Sequence, residues 1–471
     1  MATFDFSEKL PFGEMFLVRS SEIEGRIDPL YYQTIHNFIF AKQKKYTVSK
    51  MVDCIDMQRG RFGHRPRNDP KLYGGDYPFI QTGDIVKASQ NAGKITYSQT
   101  LNELGLKTSR LQTEKAVILT IAANIGDTAI LDYPACYPDS LIALTPKSDD
   151  LRLEYINIYF KFIKSFLEDL APQAAQKNIN YQQLAPVPIV IPPLAVQDEI
   201  IRIYENALLA RNSKQKQAQT LLTSINDYLL GELGITLPET DNSLNSRIFT
   251  VQMSEVGVGR LDSFTYQPRF TKLAETLEQC RYAVASLAKV ATDIKNGVEI
   301  RNYVEEGFRY LRVTDLSEHG LNHSSPKFVD VHGVPEKIRL NPNCLLIARS
   351  GSLGLVNVVT EDIKDAILSS HIFKVELDTT QIYPEYLEAF ARCPIGQEQF
   401  KQLNNGGVIP EINQSALKTF KVALPDKSTQ QKIIAHIRAI KAQAATLQAE
   451  AEQLLSQAKA EIEQMILGGA Q

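Results

Sequence analysis

The chain of 471 residues has no tryptophan, only five cysteines, and no apolar stretch long enough to span a bilayer. Its most apolar run, Val187 to Val196, is too short for a membrane span and contains Pro188, Pro192 and Pro193. Cys54, Cys136, Cys280, Cys344 and Cys393 are odd in number and never in C-x-x-C spacing, which argues against a disulfide framework. They point to a reducing, cytoplasmic setting with thiols as core filler. The opening Met1-Ala2-Thr3-Phe4-Asp5 shows no basic region followed by an apolar one, so no secretory signal is expected.

Catalytic signatures are missing as well. No segment fits a phosphate-binding G-x-x-x-x-G-K-[ST] loop, since the pair Gly93-Lys94 continues with Ile95. Gly257-Val258-Gly259 begins like a dinucleotide fingerprint, but Asp262 stands where the third glycine belongs. His319 and His323 are four apart, yet Gly320 replaces the glutamate of a metalloprotease helix. Gly351-Ser352-Leu353-Gly354 lacks the spacing of a nucleophile elbow. Ile191-Pro192-Pro193-Leu194 lacks the polar residue with which amino-methyltransferases hold an amine. These absences predict a chain that is not an enzyme and that binds neither cofactor nor metal.

What is present is ordinary globular composition, 44% apolar and 22% charged, in a chain with room for two to four domains. The net charge of −3 argues against nucleic-acid binding by the whole surface and leaves room for a local basic face.

The strongest signal is an internal repeat. Gly25-Arg26-Ile27-Asp28 returns as Gly259-Arg260-Leu261-Asp262, and Tyr46 to Gly60 returns as Tyr282 to Gly297. Asp28-Pro29 predicts a capped helix running toward Lys42. Tyr77 to Ile85 matches Phe308 to Leu316 without a gap, each reading as a strand that ends in an aspartate turn at Asp84 or Asp315. Ala116 to Leu119 before Gly126 matches Cys344 to Ile347 before Gly354, a buried strand feeding a tight glycine loop. Glu154-Tyr155 and Glu385-Tyr386 open helices, and Asn178 to Leu184 pairs with Glu411 to Leu417.

Each copy ends in a long helix. From Pro193 to Leu230, the residues Ile200, Tyr204, Ala207, Ala218, Leu221, Ile225 and Tyr228 follow spacings of three and four. From Thr429 to Leu467, the residues Ile433, Ile437, Ile440, Ala444, Leu447, Ala451, Leu454, Ala458 and Met465 do so more regularly. Heptad spacing predicts helices that pack along a stripe. Roughly 35 residues make a rod of about 50 Å. Ser428-Thr429-Gln430-Gln431 predicts a capping box at the second start. The expected division is a first domain at 1–186, a spacer helix at 187–235, a linker at 236–250, a second domain at 251–425 and a C-terminal spacer helix at 426–471. Each domain reads as mixed α/β without regular alternation.

These motifs resemble the DNA specificity subunits of type I restriction-modification systems. The likeness rests on Tyr77 to Ile85, the turns at Gly126 and Gly354, the Asn-Ile-Asn and Glu-Ile-Asn segments, the Pro-Pro-Leu-x-x-Gln start at Pro192 to Gln197, and their duplication. It implies two target-recognition domains joined by two antiparallel helices in a coiled coil. It further implies double-stranded DNA as ligand and two methyltransferase subunits, carrying S-adenosylmethionine, docked on the helices. Endonuclease or translocase subunits add to that assembly. A bipartite, asymmetric target follows from two readers that agree at apolar positions and differ at polar ones.

Candidate DNA-binding residues follow. Arg59, Arg61, His64, Arg65 and Arg67, with Lys71 beyond, form a basic loop interleaved with glycines and Phe62. Gln81 and Thr82 sit at the end of the first matched strand. The second copy offers Lys295, Arg301, Asn302, Arg309 and Arg312, with Arg349, Ser350, Ser370 and His371 near its glycine turn. Two other readings fit the residues: a specificity subunit of another defence or methylation complex, and a coiled-coil adaptor that binds no nucleic acid.

Overall fold

The computed structural model describes residues 45–63, 68–91, 94–171, 178–239, 245–253, 262–318, 320–330, 340–341 and 344–467, with positions 42, 243 and 256. The helix expected from Asp28 to Lys42 lies outside the described residues, apart from Lys42 itself. The chain forms two compact units, residues 1–215 with 448–471, and residues 216–447.

The strands of the first unit are β1 (Thr47–Lys50), β2 (Ile55–Arg59), β3 (Tyr73–Phe79), β4 (Gln99–Leu101), β5 (Leu111–Gln112), β6 (Ala116–Thr120), β7 (Thr128–Leu131), β8 (Ala135–Cys136), β9 (Leu141–Pro146) and β10 (Pro188–Ile191). One antiparallel sheet has the order β2-β9-β6-β7. A smaller sheet, β4-β3-β8-β5, contains one parallel pair, β3 with β8. β1 lies antiparallel to β10, Thr47 opposite Ile191. Every residue of β6 is buried, which is why Ala116 to Leu119 read as a continuous apolar run, with Thr120 a buried polar residue at its end. Val117 and Leu119 face a core with Tyr155, Tyr159 and Phe160 of the helix Leu153–Phe162. The alternate residues Ala116 and Ile118 face Ile80, Ile85 and Ala88.

The second unit repeats this plan. Its strands are β11 (Val284–Ser286), β12 (Ala291–Asn296), β13 (Phe308–Leu311), β14 (Leu316–Ser317), β15 (Gly320–Leu321), β16 (Lys327–Val329), β17 (Leu345–Ala348), β18 (Val356–Val358), β19 (Ile367–Leu368), β20 (Ile372–Leu377) and β21 (Lys421–Ala423). The sheet β12-β20-β17-β18 corresponds to β2-β9-β6-β7, and β11 pairs with β21 as β1 does with β10. β13 runs parallel to β19 as β3 does to β8. The copies part after the matched strand. The first continues into the helix Thr82–Asn91, whereas the second makes a short turn, Val313–Asp315, and the hairpin β14–β15.

The long helices span Leu194–Leu233 and Lys427–Ile466, 40 residues each. In the first unit Ile200 and Tyr204 share a core with Ile462 and Ile466. Arg211 meets Glu452 at 3.2 Å and Lys214 meets Glu450, so the two segments run antiparallel. In the second unit Leu229 and Leu233 share a core with Ile433 and Ile437, and Lys432 pairs with Glu232 at 3.3 Å. The Tyr228 and His436 rings meet there, tilted by 32° with centroids 3.8 Å apart.

The second long helix is not capped as its sequence suggests. The helix begins one residue before Ser428, and the Asp426 carboxylate accepts from Thr429 N at 3.0 Å and from Thr429 Oγ1 at 2.8 Å. An ionised acceptor suits the positive end of a helix better than a hydroxyl. Gln431, the distal member of the expected box, donates instead to Tyr383 Oη at 2.7 Å. Gln430 is fully buried; its Nε2 donates to Pro425 O and Gln381 O, and its Oε1 accepts from Tyr383 N, all at 2.9 Å. Gln197 makes the same set with Pro192 O, Asp150 O and Arg152 N, each at 2.8 Å. The duplicated glutamine thus ties the start of each long helix to its own unit.

Candidate nucleic-acid interface

In each unit one end of the larger sheet, set by two glycines, carries several of the described polar candidates, Arg59 and Arg61 in the first and Arg301, Arg349, Ser350, Ser370 and His371 in the second. Gly60 follows β2 and donates to Leu141 O at 2.9 Å; Gly297 follows β12 and donates to Ile372 O at 3.2 Å. A Cβ at either would fall 2.2 Å from a backbone oxygen, of Pro138 or of Leu368. Only glycine lets these chains close so tightly. The second constraint is the turn after β6 and β17, where Gly126 (φ +87°) and Gly354 (φ +84°) occupy the left-handed region. Ile179 N then donates to Ile121 O, and Ile412 N to Arg349 O, both at 2.9 Å. The Asn-Ile-Asn and Glu-Ile-Asn segments are thereby laid beside the turn.

The first unit carries an open cationic surface here. Arg59 ends β2 and its Nε donates to Asp139 O at 2.7 Å. Arg61 is exposed, and its side chain has no partner among the described residues. His64, Arg65 and Arg67 lie outside the described residues. Phe62 does not belong to the surface, although its place among arginines suggests it. It is 2% exposed and packs with Leu72, Phe79 and Leu101, because a buried ring anchors the start of the loop. Phe62 also pairs with Ser109, and Arg110 donates to Arg59 O at 3.0 Å. That pairing brings exposed Arg110 beside Arg59 and, through Gly63 N donating to Thr108 O at 3.1 Å, the segment of exposed Lys107 beside the loop, a neighbourhood invisible in a sequence where they stand nearly fifty residues apart. Lys71 is exposed on the turn Pro70–Leu72, whose Lys71 O accepts from Asn102 Nδ2 at 2.9 Å. Gln81 is exposed and donates to Gln99 Oε1. The Thr82 hydroxyl lies 3.1 Å from that of Ser140, and the Asp84 carboxylate accepts from Gln81 N at 2.8 Å, closing the expected turn.

The second unit fills the corresponding edge with a network. Ser350 Oγ and His371 Nδ1 are 2.6 Å apart, and Ser370 Oγ donates to Glu299 Oε2 at 2.9 Å. Arg349 pairs with Glu411 at 2.6 Å and Arg301 with Glu299 at 3.3 Å. Hydrogen bonds from Ser370 and then Arg301 hold the Glu299 carboxyl below its usual range. Arg301 keeps 86% of its side chain exposed, and Asn302 beside it is exposed too. The other three stand apart from this network. Lys295 pairs with Asp293 in β12. Arg309 approaches His323 Nδ1 at 3.1 Å and donates to Asn322 O at 3.0 Å. Arg312 is held in a two-pronged pair with Asp315 at 2.9 and 3.1 Å, which raises its pKa and turns it into a turn former.

Since β9 begins where β20 begins, Asp139 and Ser140 stand where the second unit has Ser370 and His371. The two edges are thus one place in the fold with different side chains.

Among the described residues no helix is long and apolar enough to cross a membrane. A family model for the type I restriction modification DNA specificity domain matches residues 43–223 and 301–456. One similar solved structure concerns complex assembly and conformational transition of the type I restriction-modification system; it aligns with a TM-score of 0.53 at 13% identity, over 90% of this chain and 97% of that one. The type I restriction-modification S subunit from M. genitalium gives 0.42 at 14% identity, over 90% and 98%. The HsdS subunit from Thermoanaerobacter tengcongensis gives 0.39 at 12%, over 90% and 97%. The first of these alignments supports the fold, and the family match spans more than half of the sequence, in both copies of the repeat. The chain belongs to the type I restriction-modification DNA specificity family.

Proposed function

We propose that this chain reads a bipartite, asymmetric DNA target, one half-site per unit, and directs partner adenine methyltransferase and endonuclease subunits to it in the cytoplasm. The observation that carries this reading is the paired edge: one backbone arrangement occurs twice, with Arg59, Arg61, Lys107 and Arg110 in one copy and Arg301, Arg349, Ser350 and His371 in the other. A shared scaffold holding different polar side chains suits two readers of different sequences. Arginine can pair with phosphate or with the guanine edge, and serine or histidine with several base edges. Arg61, Arg65, Arg67 and Lys71 are assigned to the first half-site, with His64, Gln81 and Thr82. Asn302 and Ser370 complete the second set, with Lys295 and Arg309 at its margin, while Arg312 stays with Asp315.

On this reading S-adenosylmethionine resides in the methyltransferase partners, which dock on the long helices, and the chain itself performs no chemistry. The test is reconstitution. Partner subunits with this chain are expected to methylate one sequence motif, while the chain alone neither turns over S-adenosylmethionine nor cleaves DNA. Turnover by the isolated chain, or motif methylation by the partners without it, would overturn the proposal.

A further inference from the structure

The loop Asn404 to Pro410 ends in two aliphatic side chains turned to solvent, Val408 at 103% and Ile409 at 66% exposure. The loop is built to present them. Asn404 Oδ1 accepts from Gly406 N at 3.0 Å and from Glu411 N at 2.9 Å, and Asn405 N donates to Glu411 O at 2.8 Å. A Cβ on Gly406 would lie 2.0 Å from Ile409 O, so glycine is required for the loop to fold back on itself. Gly351 N donates to Pro410 O at 2.9 Å, and Ser350 forms a bridge with Glu411, whose carboxylate holds Arg349. The aliphatic tip therefore stands beside the glycine turn and the Arg349–Ser350–His371 network.

The two copies differ at this tip. Between Leu170 and Ile179, and between Leu403 and Ile412, the repeat aligns without a gap, and it sets Ala175 and Gln176 opposite Val408 and Ile409. A surface for a partner shared by both units would recur in both. An aliphatic pair found in one copy belongs with the features that distinguish their targets. Along the major groove the aliphatic group a protein meets is the C5-methyl of thymine.

We infer that Val408 and Ile409 are specificity-determining residues that pack on a thymine methyl in the half-site of the second unit. This rests on the proposed reading of that unit as a DNA reader. The test uses the full chain in complex with its methyltransferase partner, on duplexes carrying the motif found by modification-sensitive sequencing. Each thymine of the second half-site is replaced in turn by deoxyuridine, which removes the methyl alone. The parent complex is expected to lose about four-fold in affinity at one or two of these positions, the factor for one methylene-sized group leaving contact. The double variant Val408→Ser, Ile409→Gln should bind the thymine duplex correspondingly more weakly and show no further loss with uracil.

Parent binding that is indifferent to uracil everywhere, or a variant that keeps the full uracil penalty, overturns the assignment. So does a half-site without an A·T pair. A variant whose complex with the methyltransferase falls apart on size exclusion marks the loop as a protein-docking surface, which also overturns it. Failure of the underlying reading looks different: the parent complex would then bind a scrambled duplex as tightly as the motif.

Discussion

Gln197 and Gln430 show how a single residue type can mark a repeat without disclosing its purpose. Both are fully buried, with both amide N–H groups and the carbonyl oxygen bonded to backbone. Gln197→Leu keeps the volume and strands those backbone groups, at a cost of about 1–3 kcal/mol for each one left unpaired. Chemical denaturation should show the transition of the first unit moving while that of the second stays. Lys161 offers a test with a sign. Burial pushes its ammonium down to about 8 from 10.5, and it lines a cavity of about 380 Å³ with Lys115, Glu154 and Tyr204. Below pH 8 the group is charged folded and unfolded, so the cost of burying it is fully present. Between about 8 and 10.5 the folded state releases its proton first, and stability rises with pH. Lys161→Met should therefore stabilise the first unit at neutral pH, with the gain shrinking as pH rises through that window. Among surface residues, Arg61→Ala should weaken or relax recognition at the first half-site only. A lost base contact costs roughly 1–3 kcal/mol, and a lost phosphate contact lowers the salt slope by about one. Arg110→Ala should act on the same half-site. Competition binding with duplexes altered in one half at a time separates these outcomes; unchanged binding by both variants would make the surface a bystander.

At the scale of elements, the repeat was legible because apolar alternation and obligatory glycines survive divergence: β6 and β17, Gly126 and Gly354, and both long helices stand where periodicity and turn chemistry place them. Strand order was not legible, since β2 pairs with β9 across more than eighty residues and nothing local records the choice. The sites were legible only in part for the same reason. Arginine spacing points to Arg59 and Arg61 but is silent on Lys107 and Arg110, which arrive through the Phe62–Ser109 bridge. It also cannot tell Arg312, committed to Asp315, from an exposed arginine such as Arg301. The second long helix departs from its capping-box motif because the Asp426 carboxylate, two residues before Ser428, holds Thr429 N and its hydroxyl. Hydrogen bonds from Thr429 N, then its hydroxyl, hold the Asp426 carboxyl below its ordinary range. That contribution is present above the ordinary carboxylate pKa and disappears as pH falls through the lowered folded value. Asp426→Ala should thus lower the melting midpoint of the second unit at pH 7, Ser428→Ala should barely move it, and parent and Asp426→Ala should converge in acid. A larger effect from Ser428 would restore the sequence-based cap.

For the whole molecule, two units built alike are proposed to read two different half-sites; if the long helices hold the readers apart, helix length sets the gap between those half-sites. Four residues inserted after Lys214, matched by four after Ala449 in the antiparallel partner segment, add about 6 Å and slightly more than one helical turn. Along a duplex, at about 3.4 Å per base pair, that is between one and two base pairs. The decisive measurement is the methylated motif in cells carrying this chain with its methyltransferase partner, read by modification-sensitive sequencing for parent and insertion variant. The parent should show two unlike half-sites separated by a fixed, unread gap, and the variant the same half-sites with a gap one or two base pairs longer. A continuous motif, or a fully active variant whose gap is unchanged, would contradict this reading.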